Sequence, residues 1–336
     1  MITVQQPYSS FPVRLESPSG LSVQVNANGS IRRIDYRDIM LNLFLGSEVE
    51  GGPANIYLRR LKGPIEAVPL FGPRSPAKVH IDKQTMTAKG HWRGLDFRVS
   101  LLLAESVPAW FWHIMLVNTG SAVEEIDLIH VQDMALADYG AVRLNEYYVS
   151  HYVDHLPLSH PQRGWIIASR QNLSVGGRHP WTVMGSLGCG LSYATDALQF
   201  HGLATRAGHM PPGLSQGLPG SRLQHEHSMV AVQDAAVKLE PGAVFQGGFF
   251  AWFEEHHPAA SSTADILFAD RALALPEAQP ASEQDEAAYD SPSTSLFATA
   301  PLLDALELTS QDITRLFGNE RHDEERENGK LCSFFT

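Results

Sequence analysis

The sequence predicts a mainly β protein: a large antiparallel sandwich of two sheets, followed by a short helical linker. Two observations carry that expectation. Apolar and polar residues alternate with period two through most of residues 21–253, as half-buried strands require. Turn residues interrupt the alternation repeatedly, and no strand–helix–strand rhythm points to a parallel sheet. Strands this numerous must close on themselves or stack to hide their apolar faces, and stacking as two sheets is the economical solution.

Val23 and Val25 begin the alternation, and Ile31 resumes it after Asn28-Gly29, a pair suited to the positive φ angles of a type I′ hairpin turn. Phe97, Val99, Leu101 and Leu103 share one face of a strand. Trp110, Trp112, Ile114 and Leu116 do the same in the next, with Pro108 at the turn between them. Further strands are predicted at Ile126–Val131, Trp165–Ala168, Val230–Val232, Val237–Leu239 and Phe249–Phe253, with a turn at Pro241-Gly242.

Residues 204–222 are rich in Gly and Pro, cannot hold a regular ladder, and are predicted as a long surface loop where binding groups tend to sit. Ser261–Leu273 is predicted as a capped helix, and Ala274–Ser295 has the composition of a linker. Thr309 with Asp312, then Ile313, Leu316, Phe317 and Gly318, marks a short capped helix with a glycine stop. Residues 319–330 are charged and expected in solvent, whereas the closing LCSFFT is apolar and expected to be covered, by a following domain or by docking on its own sandwich. The chain thus divides into a sandwich over 1–258 and a linker and tail over 259–336.

With 336 residues, 43% of them hydrophobic and 18% charged, the chain has ample material for a core. Its net charge of −12 opposes the electrostatic attraction that nucleic-acid binding needs, so no nucleic-acid partner is expected. The first twenty residues lack a basic stretch followed by an apolar one, and no run of about 18 apolar residues occurs. The expectation is a cytoplasmic protein with no membrane partner. Cys189 and Cys332 stand in unlike contexts, so neither a disulfide framework nor a zinc site is expected.

The densest polar and aromatic cluster is NEYYVSHYVDHLPLSHPQRGW, residues 145–165, which carries Tyr147, Tyr148, His151, Tyr152, Asp154, His155, His160, Arg163 and Trp165. Aromatic faces stack on the C–H faces of a pyranose while carboxylate, imidazole and guanidinium groups bind its hydroxyls, so carbohydrate contact is one reading. Tyr and Trp also dominate protein interfaces, and plain packing accounts for the same residues, so all three readings stay open. His151 and His155 have the spacing of zinc ligands on a helix, but the surroundings are β-branched and aromatic and no third ligand offers itself. His225 and His227 lead into a strand and are expected in solvent. Glu254, Glu255, Asp133 and Asp138 are acids of the type a glycosidase needs, yet none has a context that singles it out, so no catalytic residue is assigned.

Several of these segments carry a resemblance. His113–Asp138 is similar to the strand–turn–strand of the sandwich that precedes the helical barrel in glycoside phosphorylases acting on cellobiose, chitobiose and β-1,2-glucans. Leu239–Pro258 resembles the strand pair that closes that sandwich. Asn145–His155, Gly164–Asn172 and Phe317–Phe335 resemble the 1,2-β-oligoglucan phosphorylases and the phosphorylase-like part of cyclic β-1,2-glucan synthases most closely.

The resemblance implies a supersandwich of the galactose-mutarotase kind, and an (α/α)6 barrel beyond it that supplies the catalytic Asp and the phosphate site. It implies a supporting role for the sandwich, which packs on the barrel or a dimer mate and borders a pocket for β-glucan oligosaccharide. No cofactor is expected; inorganic phosphate is the co-substrate of the intact, inverting enzyme. Two alternatives stand beside this one. A mutarotase-like epimerase would use a His and a Glu such as Glu254 as acid and base, but would have no need of the C-terminal linker. A pure carbohydrate-binding or assembly module would show affinity without turnover.

Overall fold

A computed structural model describes residues 12–82, 85–203, 210–224, 227–280, 308–318, 320–327 and 329–335. His225, Glu226, residues 204–209 of the predicted loop and 281–295 of the predicted linker lie outside the described residues. The chain forms two compact units, one of residues 1–205 and 210–302, the other of 206–209 and 303–336.

In the larger unit, fourteen of the described strands join in one hydrogen-bonded network. That network is two layers meeting at a single parallel pair, Gly164 with Gly190. The first layer runs in order through Val153–His160, Gly164–Gln171, Trp181–Ser186, Val244–Glu254, Ala109–Asn118, Leu95–Leu103, Thr85–Trp92 and Lys78–Ile81. The second runs through Gly190–Asp196, Ser228–Asp234, Glu124–Asp133, Asn55–Arg60 and Glu66–Pro69, with Val237–Leu239 also paired to Glu124–Asp133. The join needs glycine on both sides. A Cβ on Gly164 would lie 2.3 Å from the Gly190 carbonyl oxygen, and one on Gly190 would lie 2.5 Å from that of Trp165.

The inner faces of the two layers bury one core. Val99, Leu101, Trp110, Trp112, Ile114 and Phe249 from the first layer meet Ile56, Leu58, Ile126, Leu128, Val230 and Val232 from the second. A five-stranded sheet, Val13–Glu16, Leu21–Val25, Ile31–Tyr36, Ile39–Met40 and Ala137–Asp138, adds Leu15, Val23, Val25 and Ile34 to that core. The fold is therefore the predicted mainly β, two-layer sandwich.

Each outer face is also covered, because strands with β-branched and aromatic residues on both sides must be buried on both. Helix Ile266–Leu273 lays Ala269 and Ala272 against Phe111, Trp181, Val183, Phe250 and Trp252. Ser262 and Asp265 form a capping box just ahead of it. On the opposite layer, helices Ala197–His201 and Pro212–Ser215 bring Phe200 and Leu214 onto Ile129, Val131 and Ala231. The Gly/Pro loop is thus partly a buried cover: Gly213, Leu214 and Leu218 are interior. The sequence reading of it as surface holds only for parts such as Gln216 and residues 219–222.

All the predicted strands appear, with longer bounds, and Val237–Leu239 as drawn. The turn at Asn28-Gly29 differs. Only Gly29 has positive φ (83°), and the Gly29 N–H donates to the Asn26 carbonyl at 2.9 Å. Type I′ needs positive φ at both residues, so this is a three-residue loop closed by a left-handed glycine. The Asn28 side chain instead accepts from the Ser30 N–H at 3.1 Å, which satisfies it in right-handed space.

In the smaller unit, helix Ser310–Phe317 has the predicted Thr309–Asp312 capping box and Gly318 stop. The charged run and the apolar tail pair as a hairpin, His322–Glu327 with Lys330–Phe335, in which Phe334 meets Phe317 edge-on at 4.9 Å. Among the described residues no helix is long and apolar enough to cross a membrane.

Candidate functional site

The segment that leaves the small sheet at Asp138 and enters strand Val153–His160 is built by two successive caps. The Asp138 carboxylate accepts from the Gly140 and Ala141 N–H groups at 2.9 and 3.2 Å and starts helix Tyr139–Leu144. Asn145 ends that helix and starts the next, Glu146–His151, by accepting from the Tyr148 N–H at 2.9 Å. Val142 and Val149 turn inward onto Met40, Leu43 and Ala135. The opposite side then has nowhere to go but solvent. Tyr147, Tyr148 and Tyr152 are 50%, 52% and 37% exposed.

These rings are held in place. Tyr148 and Tyr152, four residues apart, meet edge-on at 5.1 Å, and Tyr147 lies edge-on to Phe44 at 6.0 Å. The Arg33 guanidinium sits 4.3 Å above Tyr139. Beside them Asp154 is ion-paired with Arg222, and Gln224 donates to the His151 carbonyl at 2.8 Å, so the end of the Gly/Pro loop is tied to the tyrosine segment. The His151 side chain is exposed. Exposed aromatic faces next to a carboxylate, a guanidinium and an imidazole can stack on sugar rings and bind their hydroxyls.

The remaining candidates do not join them. His155 is 2% exposed, with Ser169 Oγ on Nδ1 and Ser228 Oγ on Nε2, both at 2.8 Å. Burial drives its pKa down to about 3, so it is a neutral core histidine. The carbohydrate or interface assignment of His155 is therefore corrected: a strand alternates, so Asp154 faces out and His155 faces in. Arg163, Trp165 and His160 lie at the far end of the same hairpin, where His160 pairs with Gly164. Seven strand steps at about 3.3 Å put them roughly 23 Å from the tyrosines. Trp165 packs on Tyr193 at 5.0 Å, and His160 accepts two backbone N–H groups at 3.1 Å while Asp270 holds its other nitrogen at 3.0 Å. His227, expected in solvent, is half-buried against Phe44 at 4.8 Å, and its pKa is lowered to about 4 by burial.

The acids flagged by type are all engaged. Asp133 is fully buried, accepts from the Leu43 and Phe44 N–H groups at 2.9 and 2.7 Å, and is pushed up to about 6 by burial. Asp138 is a helix cap; Glu254 accepts from the Trp252 indole N–H at 2.7 Å; Glu255 lies between Arg37 and Arg178. Among the described residues, no group of three or more His, Cys, Asp or Glu could hold a metal ion.

One buried acid has a measurable consequence. Asp234, 4% exposed, has an oxygen with no partner, and desolvation raises its pKa to about 7. The folded state keeps a proton that the unfolded chain releases, so this group costs stability as pH rises from about 4 to 7. Asp234→Asn removes that cost. Its stabilising effect in urea unfolding is expected to be about 2–3 kcal/mol larger at pH 8 than at pH 5; an equal effect at both pH values would refute the protonated state. Burial lowers His130 and His155 to about 3 and His201 and His227 to about 4, with the opposite sign. Their contribution is complete above about pH 6.5 and is lost on acidification below it.

Phe44, Arg222 and Gln224 complete the tyrosine segment but are not legible in the sequence as its partners. The nearest signal is that Arg222 ends a Gly/Pro-rich loop of the kind that brings binding groups to a scaffold.

The family described as the SOGP N-terminal domain matches residues 24–250. The 1,2-beta-oligoglucan phosphorylase of Listeria innocua serovar 6a is 28% identical over 324 residues, which is 94% of this chain and 27% of that protein. The chain thus spans about a quarter of that relative. Among solved structures, a bacterial glucoamylase complexed with acarbose is 7% identical over 80% of this chain and 36% of its own, with a TM-score of 0.47. A galactose mutarotase related enzyme from Lactobacillus acidophilus is 11% identical over 74% of this chain and 99% of its own, with a TM-score of 0.41.

Proposed function

The chain belongs to the SOGP N-terminal domain family, and from that premise we propose that it is the non-catalytic sandwich of a glycoside phosphorylase acting on β-1,2-glucan. In the intact enzyme an (α/α)6 barrel and inorganic phosphate supply the chemistry, and the sandwich contributes surface to glucan, barrel or dimer mate. The observation that carries this is the tyrosine segment: Tyr147, Tyr148 and Tyr152 stay exposed on a capped, anchored pair of helices beside His151 and the Asp154–Arg222 pair. The match to a phosphorylase across 94% of the chain supports the substrate class.

The engaged state of Asp133, Asp138, Glu254 and Glu255 favours this role over epimerisation, which needs a carboxylate free to take a proton across a cavity. The test is to incubate the chain with β-1,2-gluco-oligosaccharides and inorganic phosphate and to assay glucose 1-phosphate. None is expected. Its steady formation by this chain alone would overturn the non-catalytic role.

A further inference from the structure

We propose that a cavity beside Arg163 and His113 binds a single pyranose unit, separately from the tyrosine segment. This inference rests on the carbohydrate role of the family proposed above, but not on the tyrosines.

The outer face of strands Ala109–Asn118 and Val244–Glu254 is apolar at Phe111, Phe250 and Trp252, where helix Ile266–Leu273 covers it. By strand alternation the same face continues to His113 and Gln246. There the cover changes to the turn Pro276–Ala278 and leaves a cavity of ≈ 260 Å³, lined by His113, Arg163, Leu187, Gln246, Leu273 and Gln279 among others. His113 is half-buried beneath this turn, while Gln246 stands exposed at the rim of the cavity.

Arg163 reaches this cavity from the turn between strands Val153–His160 and Gly164–Gln171. It donates through Nη1 to the Leu187 carbonyl, yet its Nε–H is buried without a partner. Buried donors are nearly always paired, so Arg163 gains a partner if its side chain shifts to meet an acceptor in the cavity. His113 Nε2 lies 2.8 Å from the Glu277 carbonyl oxygen. A carbonyl only accepts, so Nε2 carries the proton and Nδ1 is left as an acceptor. Burial lowers the pKa of His113 and keeps it neutral.

The lining therefore offers donors from Arg163 and the two amides, acceptors from His113 Nδ1 and the amide oxygens, and apolar wall from Leu187 and Leu273. An anion uses donors alone and gains nothing from the Nδ1 lone pair. Hydroxyls donate and accept at once, and a pyranose adds C–H faces for the leucines. The volume lies below the roughly 300–1,000 Å³ of drug-sized sites, which suits one ring rather than an oligosaccharide.

The test is calorimetric titration of the chain with methyl β-D-glucopyranoside, with inorganic phosphate as competitor. Saturable binding is expected, weakened at least tenfold in Gln246→Ala and in His113→Phe and unchanged in Glu50→Ala, an exposed residue outside the cavity lining and the tyrosine segment. Thermal melting of each variant confirms that it is folded; Gln246 is exposed, so its truncation leaves the core intact. The proposal is overturned if the glucoside does not bind, if phosphate displaces it competitively, or if Gln246→Ala binds like the parent. Failure of the tyrosine reading looks different: Tyr148→Ala would then hold oligosaccharides as tightly as the parent, whatever the glucoside does.

Discussion

Replacing Arg59 by alanine is expected to destabilise the sandwich by about 3–5 kcal/mol, the usual result of removing one partner of a buried ion pair. Arg59 and Asp127 face each other on neighbouring strands of the second layer, both almost wholly buried, with Nε 2.7 Å from Oδ1. Arg59 also donates to the Leu214 carbonyl at 3.0 Å, and Gln233 donates to Asp127 at 2.8 Å while accepting from the Leu218 N–H at 2.8 Å. Without the guanidinium, Asp127 keeps a buried charge with one amide for company, and the cover at Leu214 loses its anchor. At about 2–4 °C per kcal/mol for a chain of this size, the midpoint of thermal unfolding drops by roughly 10 °C. Replacing both partners together, Arg59→Met with Asp127→Leu, is expected to restore most of that loss, because the cost lies in the orphaned charge. A drop below about 2 °C in Arg59→Ala would show that water reaches Asp127.

Trp181→Ala is expected to cost about as much, 3–5 kcal/mol, by a different route. Trp181 is fully buried on the outer face of the first layer, stacked on His257 at 5.1 Å, tilted against Phe268 at 4.9 Å, and hydrogen-bonded through its indole N–H to Ser261 Oγ at 2.9 Å. It is the peg on which the covering helix Ile266–Leu273 hangs. Its removal leaves a cavity between sheet and helix, so hydrogen exchange in residues 262–278 should rise far more than in strand Ala109–Asn118. Trp181→Phe keeps much of the ring, loses the hydrogen bond, and is expected to fall well short of the alanine variant. Uniform exchange across both segments would mean that helix and sheet open together.

The sandwich was legible because half-buried strands write their burial into the sequence. Residues 97–103 and 110–116 alternate, and their inward residues line the core. Short strands such as Val13–Glu16 and Lys78–Ile81 have too few apolar residues to show that pattern. The parallel pair of Gly164 and Gly190 is a tertiary contact between residues far apart in the chain, and nothing in either neighbourhood announces it. The outward faces were harder still, because an apolar residue on the outside of a strand does not say which helix covers it. The candidate site was legible in composition but not in grouping. Residues 145–165 hold the right side chains, yet His155 turns inward by strand alternation and the hairpin carries Arg163 and Trp165 to its other end. Asp154 finds its partner in Arg222, a pairing the fold makes and the spacing cannot state.

The central claim, that a carbohydrate surface sits on the tyrosine segment, is tested most directly by sedimentation velocity of the chain with β-1,2-gluco-oligosaccharides, following free sugar in the same run. Oligosaccharide should travel with the protein and stay behind with Tyr148→Ala, since losing one stacked ring removes about 1 kcal/mol or more of contact. Sugar that stays behind with the parent, or travels equally with Tyr148→Ala, would contradict it and leave the segment as a protein interface.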